Sequence, residues 1–125
     1  MDIQGKVWGS TSLLFCKNNV EIHRIEGNKD GYCSKHKHEH KYNMFFVEKG
    51  SLAIEIWKEY KLVDKTILTA GNSCTVPPGQ YHKFTVLEED TVAFEIYWVE
   101  LSQSDISRER VGGKNEKSNS DTIAS

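Results

Sequence analysis

Four histidines stand in two places along the chain: His36, His38 and His40 in the stretch SKHKHEHKYN, and His82 at the end of GNSCTVPPGQYH. Imidazoles are good ligands for borderline divalent metals, so the question is whether the backbone can bring them to one point. On an extended chain alternate side chains share a face about 6.6 Å apart, so His36 and His38 could converge on one ion. His40 has the same parity but lies about 13 Å along from His36, too far to share that ion unless the chain bends. A plainer reading stays open, a solvated His/Lys edge, because Lys35, Lys37, Glu39 and Lys41 interleave the histidines. The second place favours a site. Pro77-Pro78-Gly79 sets a turn just ahead of His82, since proline restricts φ and glycine permits the reversal.

Strands must do the positioning, because period-2 alternation dominates the chain and helical periodicity is almost absent. The pattern predicts strands over 12–16, 20–25, 42–48, 51–57, 62–68, 73–76, 81–87 and 91–101, with Lys17-Asn18-Asn19 as a hairpin turn. Gly27, Gly31, Gly50, Gly71 and Gly79 punctuate these runs. Many short strands at intervals of about ten residues predict an all-β antiparallel sandwich or barrel. On this reading residues 1–101 form one domain. Residues 102–125 turn polar and form a tail, disordered from about 112.

Composition limits the function classes. A chain of 125 residues that is 38% hydrophobic can bury one core. A net charge of -2 gives no basis for a nucleic-acid surface or a polybasic membrane patch. Cys16, Cys33 and Cys74 are an odd count without a C-x-x-C pair, which favours reduced thiols, small residues of a β core, in a cytoplasmic protein. The opening MDIQGKVWGS has no apolar leader core, and no run reaches the length of a membrane span.

The two histidine stretches together resemble the paired motifs of the cupin superfamily. Gly31, His36, His38 and Gly50 match the first motif, with one residue fewer after Gly31 and with Asn43 where the family has glutamate. Gly71, Pro77, Gly79 and His82 match the second, which departs only at Val86, where the family has asparagine. The likeness implies a double-stranded β-helix, a jelly-roll barrel of antiparallel strands, with a divalent metal inside one end. Carried over position by position, it implies His36, His38 and His82 as ligands with Asn43 at the fourth place. Asn43, Phe45 and Val47 would then face inward on one strand, and His82, Phe84 and Val86 on another. An amide oxygen is a weaker ligand than a carboxylate, so the set suits Zn, Ni, Cu or Fe(II) better than Mg or Ca; Mn is also among the ions expected.

The closing segment is similar to that of cupin-type mannose-6-phosphate isomerase domains at Glu95, Asp105, Ile106, Arg108 and Gly112. This implies a small polar substrate, a sugar or sugar phosphate, and isomerase- or epimerase-like chemistry in which a side chain carries a proton. The candidate bases are Glu95, His40 and Tyr97. Glu95 and Tyr97 share one parity, but Phe94, Ile96 and Trp98 on the other look more like core. Two other functions remain open: a non-catalytic binding or regulatory module, and an Fe(II)-dependent dioxygenase. His23 reads as a surface or satisfied residue. Trp8, Trp57 and Trp98 read as core or interface anchors, and a homodimer is expected.

Overall fold

The computed structural model describes residues 3–100 and 112–115. Among the described residues nine strands run in order β1 (Ile3–Lys6), β2 (Gly9–Lys17), β3 (Val20–Gly27), β4 (Tyr42–Lys49), β5 (Ser51–Lys58), β6 (Lys61–Thr69), β7 (Ser73–Val76), β8 (Tyr81–Val86) and β9 (Thr91–Trp98). They form two antiparallel sheets, β1-β2-β3-β9-β4-β7 and β6-β5-β8. No helix among the described residues is long and apolar enough to cross a membrane.

Local sequence explains the main reversals. Between β2 and β3 only Asn18 and Asn19 remain for the turn, and Asn18 takes φ 54°, which asparagine tolerates better than most residues. Gly50 joins β4 to β5 at φ 84°, and a Cβ there would lie 2.3 Å from Thr91 Oγ1 and 2.9 Å from Thr91 Cα. Only glycine satisfies both conditions.

The inner faces of the two sheets meet in a core of Ile25, Phe45, Val47, Ile54, Phe84 and Val86, all buried. Trp8 meets Phe84 edge-on at 4.9 Å and closes one side. The register of β4 and β8 turns Asn43 and His82 to the same interior as Phe45 and Phe84.

Four details differ from the sequence-based expectations. β1 forms from a polar segment without alternation, paired along β2 from Ile3↔Ser12 to Lys6↔Gly9. The last strand ends at Trp98, and Leu101 lies outside the described residues. The histidine stretch is not a regular strand: it touches β8 through single bridges at Tyr32↔Thr85 and His36↔His82, and residues 39–40 form a bend. Finally, the parity of β9 is reversed. Thr91, Ala93 and Glu95 are the buried positions, while Phe94, Ile96 and Trp98 are half-buried on the outer face. That face still gives them apolar neighbours, with Tyr42 stacked on Trp98 at 5.4 Å and Phe46 6.4 Å from Phe94.

All three cysteines are free; Cys33 and Cys74 pack against the core, whereas Cys16 is exposed. Asp105, Ile106 and Arg108 lie outside the described residues, as does most of the expected tail, while Gly112 is exposed without regular structure.

Phe84 links the core to Trp8 and to the strand carrying His82. Phe84→Ala is expected to lower the unfolding free energy by about 3–5 kcal/mol in urea titration, and a loss below about 1 kcal/mol would show that the ring is not a core element.

Candidate metal centre

Backbone pairing assembles the histidines. The segment before β4 runs antiparallel to β8, with Val86 N–H donating to Gly31 O at 2.7 Å and Cys33 N–H to Phe84 O at 3.2 Å. His36 N–H donates to His82 O at 3.0 Å, and His82 N–H returns a bond to His36 O at 2.8 Å. One step further, Gly79 N–H donates to His38 O at 2.8 Å, with Gly79 at φ 82°. The Pro-Pro-Gly turn therefore anchors the backbone of a histidine in the other stretch as well as leading into β8.

The rings converge as a result. Ring centroids lie 5.1 Å apart for His36 and His38, 4.4 Å for His36 and His82, and 5.6 Å for His38 and His82. One ligand atom from each lies within 4.8 Å of the other two. His82 is buried and the other two rings are half-buried. His40 is exposed at the bend and does not join this cluster.

The hydrogen bonds prepare these rings as ligands. His36 Nδ1 lies 2.7 Å from Ser34 O and His82 Nδ1 lies 3.1 Å from Gln80 O. A carbonyl oxygen only accepts, so each Nδ1 carries the proton and each Nε2 keeps its lone pair. Burial depresses the His82 pKa to about 4. His38 is also lowered, first by burial and then by the neighbouring His36. Both rings are thus neutral at physiological pH, the form that binds metal.

Among the described residues two buried side-chain polar atoms lack partners: His38 Nε2 and Asn43 Oδ1. Buried polar atoms are seldom left unpaired; the amide oxygen is an electron-pair donor, as is His38 Nε2 when the proton sits on Nδ1. A divalent cation would satisfy both. Three imidazoles and a neutral amide oxygen fit a transition-metal ion, with His36, His38 and His82 holding it and Asn43 beside them.

Next to the cluster lies a second buried polar group. Glu95, 8% exposed, accepts from Asn43 Nδ2 at 3.2 Å and from Tyr97 Oη at 2.5 Å through the same oxygen, Oε2. Asn43 Nδ2 also lies 3.3 Å from His82 Nε2, so the amide links carboxylate to histidine cluster. Burial and then the Glu95 charge push the Tyr97 hydroxyl well above its ordinary pKa, which keeps it a donor. Glu95 and Tyr97 line a cavity of about 410 Å³ together with His36 and Phe84.

His23 lines the same cavity, although it belongs to neither histidine stretch. Its signal was parity: His23 alternates with Ile25, a core residue, and pairs across the sheet with Glu95.

A model of the cupin domain family matches residues 23–100, a span that holds every side chain just placed. The chain belongs to the cupin family. No curated protein sequence matches this cupin. Among solved structures it is similar to KdgF from Halomonas sp., with 16% identity over 81% of this chain and 90% of that one, and a TM-score of 0.70. The cupin domain of Schizosaccharomyces pombe Cnp3 aligns at 12% identity over 80% of this chain and 69% of that chain, with a TM-score of 0.67. A Bacillus subtilis oxalate decarboxylase variant aligns at 15% identity over 82% of this chain but 29% of its own, with a TM-score of 0.70. At these identities the likeness establishes the shared fold.

The buried His82 gives the metal-free protein a defined pH dependence. The unfolded chain protonates this ring near its ordinary value of 6.5 and the folded chain only near 4, so stability is lost as pH falls through that window. The loss is on the order of 3 kcal/mol. Urea titrations of metal-free wild type and His82→Gln are expected to show a smaller acid-induced loss in the variant; equal losses would mean that His82 is not held neutral by the fold.

Proposed function

We propose that this cupin holds a divalent transition-metal ion, Zn, Ni, Fe or Mn, at His36, His38 and His82, and moves a proton on a small polar metabolite. The reading favours an isomerase- or epimerase-like reaction on a sugar or sugar phosphate. The observation that carries it is the buried Glu95, which accepts from Asn43, whose other amide atom, Oδ1, is left unpartnered, and which lines the adjoining cavity.

When bound, the metal supplies Lewis acidity toward a carbonyl or hydroxyl group. Glu95 serves as the base at carbon, since its Oε1 is not engaged in the bonds that hold Oε2. Tyr97 and Asn43 orient that carboxylate by donating to it from two sides. Lys6, at the cavity lining, is placed to meet a phosphate. Exposed His40 takes no part. The three free thiols suit a reducing, cytoplasmic setting.

The test is exchange of carbon-bound hydrogen in small aldoses, ketoses and their phosphates in deuterium oxide, followed by proton NMR with metal-loaded protein. Wild type is expected to exchange a member of this panel. Glu95→Gln is expected to slow that exchange about 10²- to 10⁴-fold at unchanged metal content, and His82→Ala to lose the metal. Full exchange in Glu95→Gln would remove the carboxylate from the mechanism. Metal binding without exchange in wild type would favour the binding-module reading instead.

We also propose that the outer face of the six-stranded sheet, carrying Tyr42, Phe46, Phe94 and Trp98, pairs with a second copy of the chain. Sedimentation equilibrium is expected to give a dimer for wild type and a monomer for Phe94→Glu; a wild-type monomer at the highest concentration reached would exclude this face as a dimer contact.

A further inference from the structure

The cavity has a second titratable wall that the reading above does not use. Glu21 and His23 alternate on β3, so their side chains share the inner face with buried Ile25. Across the sheet Glu21 pairs with Tyr97 and His23 with Glu95, while Asn43 pairs with Tyr97 from β4. Three neighbouring strands thus carry one polar field inside an otherwise apolar barrel.

Within that field His23 is held in a defined orientation. Its Nε2 lies 3.2 Å from Glu21 Oε2, and its ring meets the Tyr97 ring edge-on at 5.7 Å. A carboxylate only accepts, so Nε2 carries the proton and Nδ1 keeps a lone pair. The bond with His23 is also the chief reason that the Glu21 carboxyl sits below its ordinary pKa. An imidazole backed by a carboxylate can take a second proton and have the resulting charge balanced. The titratable and charged groups about it are Glu21 on its own strand, Glu95 and Tyr97 on β9, Lys6 of β1 with Cys33 and His36 at the cavity lining, and Lys41, which acts on Glu21 and lies 5.6 Å over the Tyr97 ring.

Moving a hydrogen between carbons is half of an aldose–ketose interconversion. A hydroxyl proton must also leave one oxygen and reach another. We propose that His23 takes and returns this hydroxyl proton for a ligand held between the histidine cluster and β3, with Glu21 as its positioning residue. The ligand O–H bond breaks, the electron pair stays on oxygen and the proton forms a bond to Nδ1. The imidazolium charge faces Glu21, and the same proton is then delivered to the second oxygen. No oxidant or reductant is consumed. The inference rests on the metal-dependent reading and adds to it a group outside both histidine stretches.

Acetohydroxamate is a suitable probe, because it chelates divalent metals and gives up its hydroxyl proton when it binds. Zinc-loaded protein is titrated with it at about pH 8 by calorimetry in buffers of different ionisation enthalpy, which counts the protons released to solvent. Wild type is expected to keep the proton, releasing close to none. His23→Gln is expected to release about one proton per chain at unchanged zinc content, with Glu21→Gln between the two. Release of about one proton by wild type would overturn the proposal whether or not any variant folds. Retention that survives His23→Gln but fails in Glu95→Gln would overturn it in favour of Glu95. Zinc-loaded wild type that does not bind the probe would overturn it while leaving the metal site intact, and failure of zinc to load would overturn both readings.

Discussion

The reciprocal backbone hydrogen bonds between His36 and His82 set the geometry on which the rest of the site depends. They join a segment without regular secondary structure to the edge of the three-stranded sheet, and the bonds at Gly31, Cys33 and Gly79 extend the same antiparallel contact in both directions. An antiparallel hydrogen-bonded pair places two residues directly opposite each other. Here both members of the pair are histidines, and His38 follows two residues later on the same side. Ring convergence is therefore a consequence of backbone pairing.

The same interior carries a conflict that shapes its chemistry. Phe45, Phe84 and Ile54 exclude water, yet Asn43, Glu95 and His82 are buried among them. Burying a carboxylate is costly unless it is well hydrogen-bonded, and Glu95 meets that demand with the Tyr97 hydroxyl and the Asn43 amide. Asn43 does what glutamate at that position could not do equally well: its amide donates to a carboxylate that a second carboxylate would repel. Asn43 and the buried Glu95 are thus physically compatible, with the acidic group on the neighbouring strand.

Much of this was legible in the sequence, and the failures have physical causes. Alternation along His82–Val86 gave the inner face of β8 because its outer positions, Lys83 and Thr85, are polar, whereas on β4 Met44 and Phe46 make the outer face apolar as well and the motif position of Asn43 set the parity. On β9 the same reasoning misled, because Phe94, Ile96 and Trp98 form a second apolar surface outside the barrel, while small Ala93 and polar Glu95 fill the crowded interior. Parity identifies two faces; it does not say which is inside when both are apolar or partly so. The role of His23 was hidden for a related reason, since its neighbour Glu95 is distant in sequence and adjacent only through the β3–β9 register. The histidine stretch was expected as a strand, and its single bridges to β8 reflect long-range pairing that local pattern does not carry.

Whether three imidazoles from two distant stretches share one ion is decided by X-ray absorption at the zinc edge of zinc-loaded wild type. Three histidine nitrogens at about 2.0–2.1 Å, with the outer-shell scattering of imidazole and no sulfur, is the result expected. A sulfur scatterer at about 2.3 Å, which would bring Cys33 into the shell, or fewer than three imidazoles, would contradict the account.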